Sequence, residues 1–221
     1  LEIDTVAVHD AGDLEGLVTY RLFVTTETPM DFVSSVYGNN MDTLILASSL
    51  PFHQNPNGAL LPQNLSPEVF GLFPDLEFDS WVTIGLEGPA AAGENLVNAI
   101  GASGELGWTS MFESGSDIVL DDPVGGSWFI LNGGTNGVAG DDLRVLIGQV
   151  TTGGTLSGQL NVQIFENGDN ANASLHQFAF EGTTWTNVVS GQNTCGCTDT
   201  MAFNYDPSAD YEDGSCIPTI W

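Results

Sequence analysis

A chain of 221 residues, 42% of them hydrophobic, has enough apolar surface for one large domain, or for a domain with a small appendage, and is not a disordered polypeptide. Against 29 acidic residues stand only Arg21 and Arg144, with no lysine, for a formal net charge of −27. Neutralising phosphates takes clustered Lys and Arg, so nucleic-acid binding, attachment to anionic membrane and a lysine-bearing phosphate cradle are excluded.

In chain order the residues read as short strands. A β-branched run covers 1–8 and closes at His9-Asp-Ala-Gly-Asp13; residues 17–25 alternate in part, as a half-buried strand does. Further strands are predicted at 31–37, 43–47, 78–85, 117–120, 127–131, 143–151, 156–165 and 175–180, separated by turn signals such as Asn55-Pro-Asn-Gly58, Asn132-Gly-Gly134 and Asn167-Gly-Asp169. The pair 143–151 and 156–165, joined by Thr152-Gly-Gly-Thr155, reads as the clearest hairpin. Helix is expected at two places only: one turn over 69–73, introduced by Ser66-Pro67-Glu68, and another over 94–100 between Gly93 and Gly101. Many short strands without long helical periods predict an all-β fold over residues 1–191, a β-sandwich of jelly-roll or immunoglobulin-like kind.

No stretch reaches the roughly 20 apolar residues of a membrane span. The chain starts at Leu1 with no basic segment ahead of an apolar one, which is expected of an exported protein whose signal peptide has been removed. From about residue 192 the composition turns to Cys, Asp, Asn and Tyr, and residues 192–221 form a module too short for a core of its own. All three cysteines lie there. Cys197 and Cys216 are the expected disulfide, whose loop closure contributes about 3 kcal/mol in the chain-entropy picture. Cys195 is too close to Cys197 to pair comfortably and is the odd thiol, free or bridged to another chain.

The tail Gly196-Cys-Thr-Asp-Thr-Met-Ala-Phe-Asn-Tyr-Asp-Pro-Ser-Ala-Asp-Tyr-Glu-Asp-Gly-Ser-Cys216 resembles a short repeat abundant in secreted modular proteins of marine Bacteroidetes. The Gly-Cys-Thr-Asp opening, the Ala-x-Asn-Tyr-Asp-Pro centre and the Asp-Gly-Ser-Cys ending all fall in register. The preceding domain is similar to one that accompanies such repeats, in Tyr20-Arg-Leu-Phe-Val24, Asp79-Ser-Trp-Val-Thr-Ile-Gly85 and Ser157-Gly-Gln-Leu-Asn-Val-Gln-Ile-Phe165 among other segments. The resemblance implies an exported surface or matrix protein of a family without assigned enzymatic activity. It implies no ligand.

Oxygen donors recur through the tail at Asp199, Asn204, Asp206, Ser208, Asp210, Glu212 and Asp213. Two readings are open: ligands for a hard cation such as Ca2+ on a cross-linked loop, or side-chain turns of the kind Asx residues make in any loop. Asp75, Glu77 and Asp79 alternate and could share one strand face, where three like charges would welcome a cation; a solvated strand end is the expected reading. His9, His53 and His176 are scattered without zinc-site spacing, no Gly-x-Ser-x-Gly elbow occurs, and no catalytic constellation stands out, so the expectation is a non-enzymatic protein. Trp108 and Trp185 are the candidates for an exposed stacking platform, with core packing as the alternative for both.

Together these readings predict a secreted structural subunit of a filament, sheath or matrix. The apolar first strand, with Leu1, Ile3, Val6 and Val8, would be exchanged head to tail between copies, with Ca2+ as an accessory. The partner is then the protein itself, in salty surroundings that screen its charge. The alternative is a cell-surface adhesin or carbohydrate-binding module with a glycan partner.

Overall fold

A computed structural model describes residues 1–101, 107–188, 195–197, 199–202, 204–205, 211–212 and 216–218. The strands before the tail are β1 (Glu2–Val8), β2 (Val18–Thr25), β3 (Phe32–Gly38), β4 (Leu44–Ser48), β5 (Trp81–Val82), β6 (Asn98–Gly101), β7 (Ile118–Leu120), β8 (Gly126–Phe129), β9 (Arg144–Thr152), β10 (Leu156–Phe165), β11 (Ala173–Glu181) and β12 (Thr184–Val188). Among the described residues one short α-helix, α1, spans Trp108–Glu113, and the other helical pieces are short 3-10 turns. The tail adds β13 (Cys195–Gly196) and β14 (Tyr211–Glu212).

The chain is an all-β sandwich. One sheet runs in the order β1-β2-β9-β5 and the other in the order β12-β11-β10-β3-β8-β6, with β4 joined to β10 and β7. Alternation decides the faces: in β10, Leu160, Val162 and Ile164 point into the core with Val33 and Val36 of β3, while Gln159 and Gln163 point away. The first sheet answers with Leu22, Val24, Val145 and Ile147. Trp128 on β8, 1% exposed, crosses the gap and donates its Nε1–H to the Ile147 carbonyl of β9 at 3.1 Å. Burying so large a ring and satisfying its one polar atom stabilises the packing of the two sheets; truncating such a residue costs about 3–5 kcal/mol.

The expected hairpin between 143–151 and 156–165 does not form. β9 pairs with β2 on one edge and β5 on the other, whereas β10 pairs with β11, β3 and β4, so the two strands belong to opposite sheets. β9 is buried at every position after Arg144, so it needs partners on both edges within its own sheet. Gly153 and Gly154 are not among the positive-φ glycines, so they do not make the primed turn of a two-residue hairpin. They carry the chain across the sandwich instead. The hairpins that do form around here are β10–β11, closed by Glu166–Gly168 and its left-handed Asn167 at φ 53, and β11–β12, turned by Gly182 at φ 61.

Two further expectations are corrected. Residues 94–100 are not helical: Asn98–Gly101 is strand β6, paired with β8, and the N–H groups of Asn95 and Val97 go to the side chains of Asn136 and Gln63 rather than to a helical ladder. The strand predicted at 78–85 shrinks to Trp81–Val82, because Pro74–Phe78 is a turn of 3-10 helix. Asp79 is therefore not on a solvated strand face. It is fully buried, with Oδ1 accepting from Asn55 N at 2.8 Å and Oδ2 from Ala59 N at 3.0 Å, which holds the turn between them. Burial pushes its pKa up to about 6, against the N–H bonds from Asn55, Ala59 and Ser80 and with a further push from Glu113.

The chain divides into two compact units, Leu1–Asn187 and Val188–Trp221, the break falling a few residues before the expected one. Within the second unit β13 and β14 pair in parallel, Cys195 opposite Tyr211 and Gly196 opposite Glu212. The expected disulfide is present, Cys197 to Cys216.

A candidate ligand-binding cleft

The second sheet has more strands than the first, and near one end of the sandwich its β11–β12 hairpin lines an open cleft. Register places the lining: Val162 faces His176 and Leu160 faces Phe178 across β10–β11, so His176 and Phe178 share the face of the core-directed residues of β10. Phe178 is buried, and Trp185 of β12 meets it edge-on with ring centroids 5.9 Å apart and planes at 82°. His176 stacks on the same Phe178 at 6.3 Å and 10°. Trp185 is 39% exposed, so part of its surface is open to solvent.

The cleft encloses about 420 Å³, a volume suited to a small ligand or a few sugar rings. Its polar lining comes from the end of β2 and the following loop (Thr25, Thr26, Glu27, Thr28, Asp31), from Glu166 and Asn167 after β10, and from Ser174 and Asn187. Asp31, only 6% exposed, organises this wall: Oδ2 accepts from Thr28 N at 3.0 Å, and Oδ1 from Thr28 Oγ1 and Asn167 N, each at 2.9 Å. Burial alone would raise its pKa, but the bonds from Asn167, Thr28 and Glu27 outweigh burial and hold it below the ordinary carboxylate value. Asp31 thus ties the loop after β2 to the turn after β10.

Chemically the cleft offers a ring to stack on and hydroxyls, amides and carboxylates to accept and donate hydrogen bonds. Ser174 Oγ lies 3.0 Å from His176 Nε2, a nucleophile-to-base distance. Among the described residues no carboxylate hydrogen-bonds the other ring nitrogen, so they supply no third, orienting member of a triad. His9 Nε2, Thr19 Oγ1 and Thr151 Oγ1 form a second chain at 2.9 and 2.7 Å, but both threonines are fully buried and closed to substrate.

The residues singled out from sequence are distributed as follows. Trp108 is not a platform: it is 5% exposed, tilted against Trp128, and donates Nε1–H to Ile100 O at 3.0 Å. Leu1 and Ile3 lie in the domain's own core and β1 pairs with β2, while Val6 and Val8 are exposed. In the tail Asp199 Oδ1 accepts from Met201 N at 2.8 Å, a side-chain turn, whereas Asn204 Oδ1 accepts from Ile217 N, 13 residues further on, at 2.7 Å and links two separate stretches of the module. Asp206, Ser208, Asp210 and Asp213 lie outside the described residues, and Cys195 and Glu212 are described through their backbones alone. Among the described residues no three His, Cys, Asp or Glu side chains come together to hold a metal ion.

Glu27, Asp31, Glu166 and His176 carried no signal as a group, because only the β10–β11 register and the Asp31 bonds bring them to one place. Trp185, with threonine on both sides, was the one legible member. Comparison of the chain with protein-family models, curated proteins and solved structures gives no match.

Proposed function

We propose that the chain is a secreted, cell-surface recognition module that binds a glycan in the cleft carrying Trp185. The observation that carries this reading is a half-exposed indole, in a T-shaped contact with Phe178, in a cavity whose other walls combine hydroxyl, amide and carboxylate groups with Ile164 and His176. Sugar rings present C–H faces that stack on aromatic rings, and hydroxyls that need many donors and acceptors nearby. Export fits the Cys197–Cys216 disulfide, which a reducing cytosol would not preserve, and a surface charge that calls for salty surroundings. A glycan array probed with the chain and with Trp185→Ala tests the reading. Binding that disappears with the ring, in a variant of unchanged melting temperature, supports it; equal binding by both proteins overturns it.

Assembly into an extracellular filament is the second reading. It is favoured by β1, which ends the first sheet with one backbone edge unpaired among the described residues and with Val6 and Val8 exposed beside it. Because Leu1 and Ile3 fill the chain's own core, edge-to-edge addition is easier than the exchange of this strand between copies. Negative-stain microscopy with and without a calcium chelator tests it: chelator-sensitive filaments support assembly with Ca2+, and isolated particles under both conditions sink it.

A further inference from the structure

Resting on the glycan reading, we infer that the ligand of the Trp185 cleft is cationic, a glycan carrying free amino groups, and that the cleft discriminates against N-acetylated and acidic sugars. Three carboxylates, Glu27, Asp31 and Glu166, share the cavity with the indole. Glu27 and Glu166 are exposed, whereas Asp31 is the most buried of the three. It lies at 6% exposure, its oxygens are held by the N–H groups of Thr28 and Asn167 and the Thr28 hydroxyl, and no cationic side chain pairs with it.

No lysine or arginine side chain lines the cleft, and His176 is its one basic side chain. The protein's two arginines are both on the four-stranded sheet, Arg21 paired with Glu87 at 2.8 Å and Arg144 with Asp4 and Glu2 at 3.0 and 3.3 Å. Carboxylates beside the apolar walls of Ile164, Phe178 and Trp185 concentrate a negative potential in the cavity, and their mutual repulsion is relieved by an incoming positive charge.

A metal ion is a poor occupant, since no three of these groups converge on one point among the described residues. An ammonium group fits better. It donates hydrogen bonds to separate carboxylates and is attracted to the face of an indole, whereas a uronate or sulfate would be repelled. Acetylating the amine removes the charge and keeps the ring, so the acetyl group isolates the electrostatic part of recognition.

The test is calorimetric titration of the whole chain with short oligomers of glucosamine, N-acetylglucosamine and a uronic acid at mildly acidic pH, first at low and then at high salt. The expected result is glucosamine oligomers bound about tenfold tighter than the N-acetylated ones, a gap that narrows as salt rises. Glu27→Gln with Glu166→Gln, both exposed and so tolerated by the fold, should erase the gap; Asp10→Asn with Asp13→Asn, the same charge removed from an exposed turn elsewhere, should preserve it. Equal affinity for glucosamine and N-acetylglucosamine oligomers overturns the charge inference and leaves the glycan reading standing. A gap erased equally by both double variants also overturns it, since general attraction to an acidic protein would then suffice. A tetralysine peptide that binds where no oligomer does overturns the amino-glycan assignment together with the glycan reading.

Discussion

Asp31 and Asp79 are two buried aspartates that accept similar sets of backbone N–H bonds and yet respond to burial in opposite directions. Asp79, fully enclosed and near Glu113, is pushed up to about 6; Asp31, at 6% exposure and with a hydroxyl donor added, is held below its ordinary value. Two or three donors are not enough to offset complete removal from water, but they are enough where a cleft still admits it. Asp79 is thus a strut for the turn from Asn55 to Ala59. Asp31 is a charge kept available at a surface.

The most severe way to break the Asp79 side of the comparison is Gly58→Ala. A Cβ at residue 58 would fall on the Asp79 carboxylate, which has no free space to move into, so the substitution should cost about 3 kcal/mol, read as a lower urea midpoint with unchanged slope. Next comes pH. Asp79 has a folded value of about 6 against an unfolded value near 3.8, so the folded state holds the proton between the two. Its contribution is complete below about pH 4 and is lost as pH rises through 6, a change of up to about 3 kcal/mol. Urea midpoints at mildly acidic and neutral pH should differ in that direction, and Asp79→Asn should flatten the difference. A slope that survives Asp79→Asn would assign it to other groups.

Asp31 has the opposite sign: its depressed value contributes stability above the ordinary carboxylate range that is lost as pH falls through the folded value. Asp31→Ala should cost about 2 kcal/mol by freeing the Thr28 and Asn167 donors, with the loop after β2 gaining hydrogen exchange before the core does. The smallest effect belongs to Arg144, whose guanidinium lies 4.2 Å above the Phe23 ring and pairs with Glu2 and Asp4 near the surface. Arg144→Ala should cost less than about 1 kcal/mol, and less still at high salt.

Most strands were legible because their burial alternates or saturates. Residues 18–25, 32–38 and 156–165 present β-branched and aromatic runs with turn residues on either side, and those runs became β2, β3 and β10. What stayed hidden has physical causes. A Gly-Gly link is equally able to close a hairpin or to cross a sandwich, and which it does depends on the partners β9 finds elsewhere. β12 has two apolar residues in five, Trp185 and Val188, three positions apart and so out of step with a strand's period of two, and α1 is a single short helical piece whose Trp108 and Phe112 are its only buried residues. The candidate site was visible at Trp185 alone. Glu166 to Asn170 reads as an ordinary turn, and Asp31 as the first residue of a strand, until the register of a long hairpin brings both beside His176.

Arg21 and Arg144 are also the only two bonds after which trypsin can cut, and both sit in paired strands. Arg21 is flanked by Asp4 of β1 and Gln149 of β9, and Arg144 by Thr25 of β2. A protease needs an extended, unpaired segment, so neither bond is cleavable until the four-stranded sheet comes apart. The eight-stranded sheet, the cleft and the tail offer trypsin nothing at all. The protein's survival in the presence of trypsin is therefore set by how often that one sheet opens, and the rate of digestion measures that opening directly.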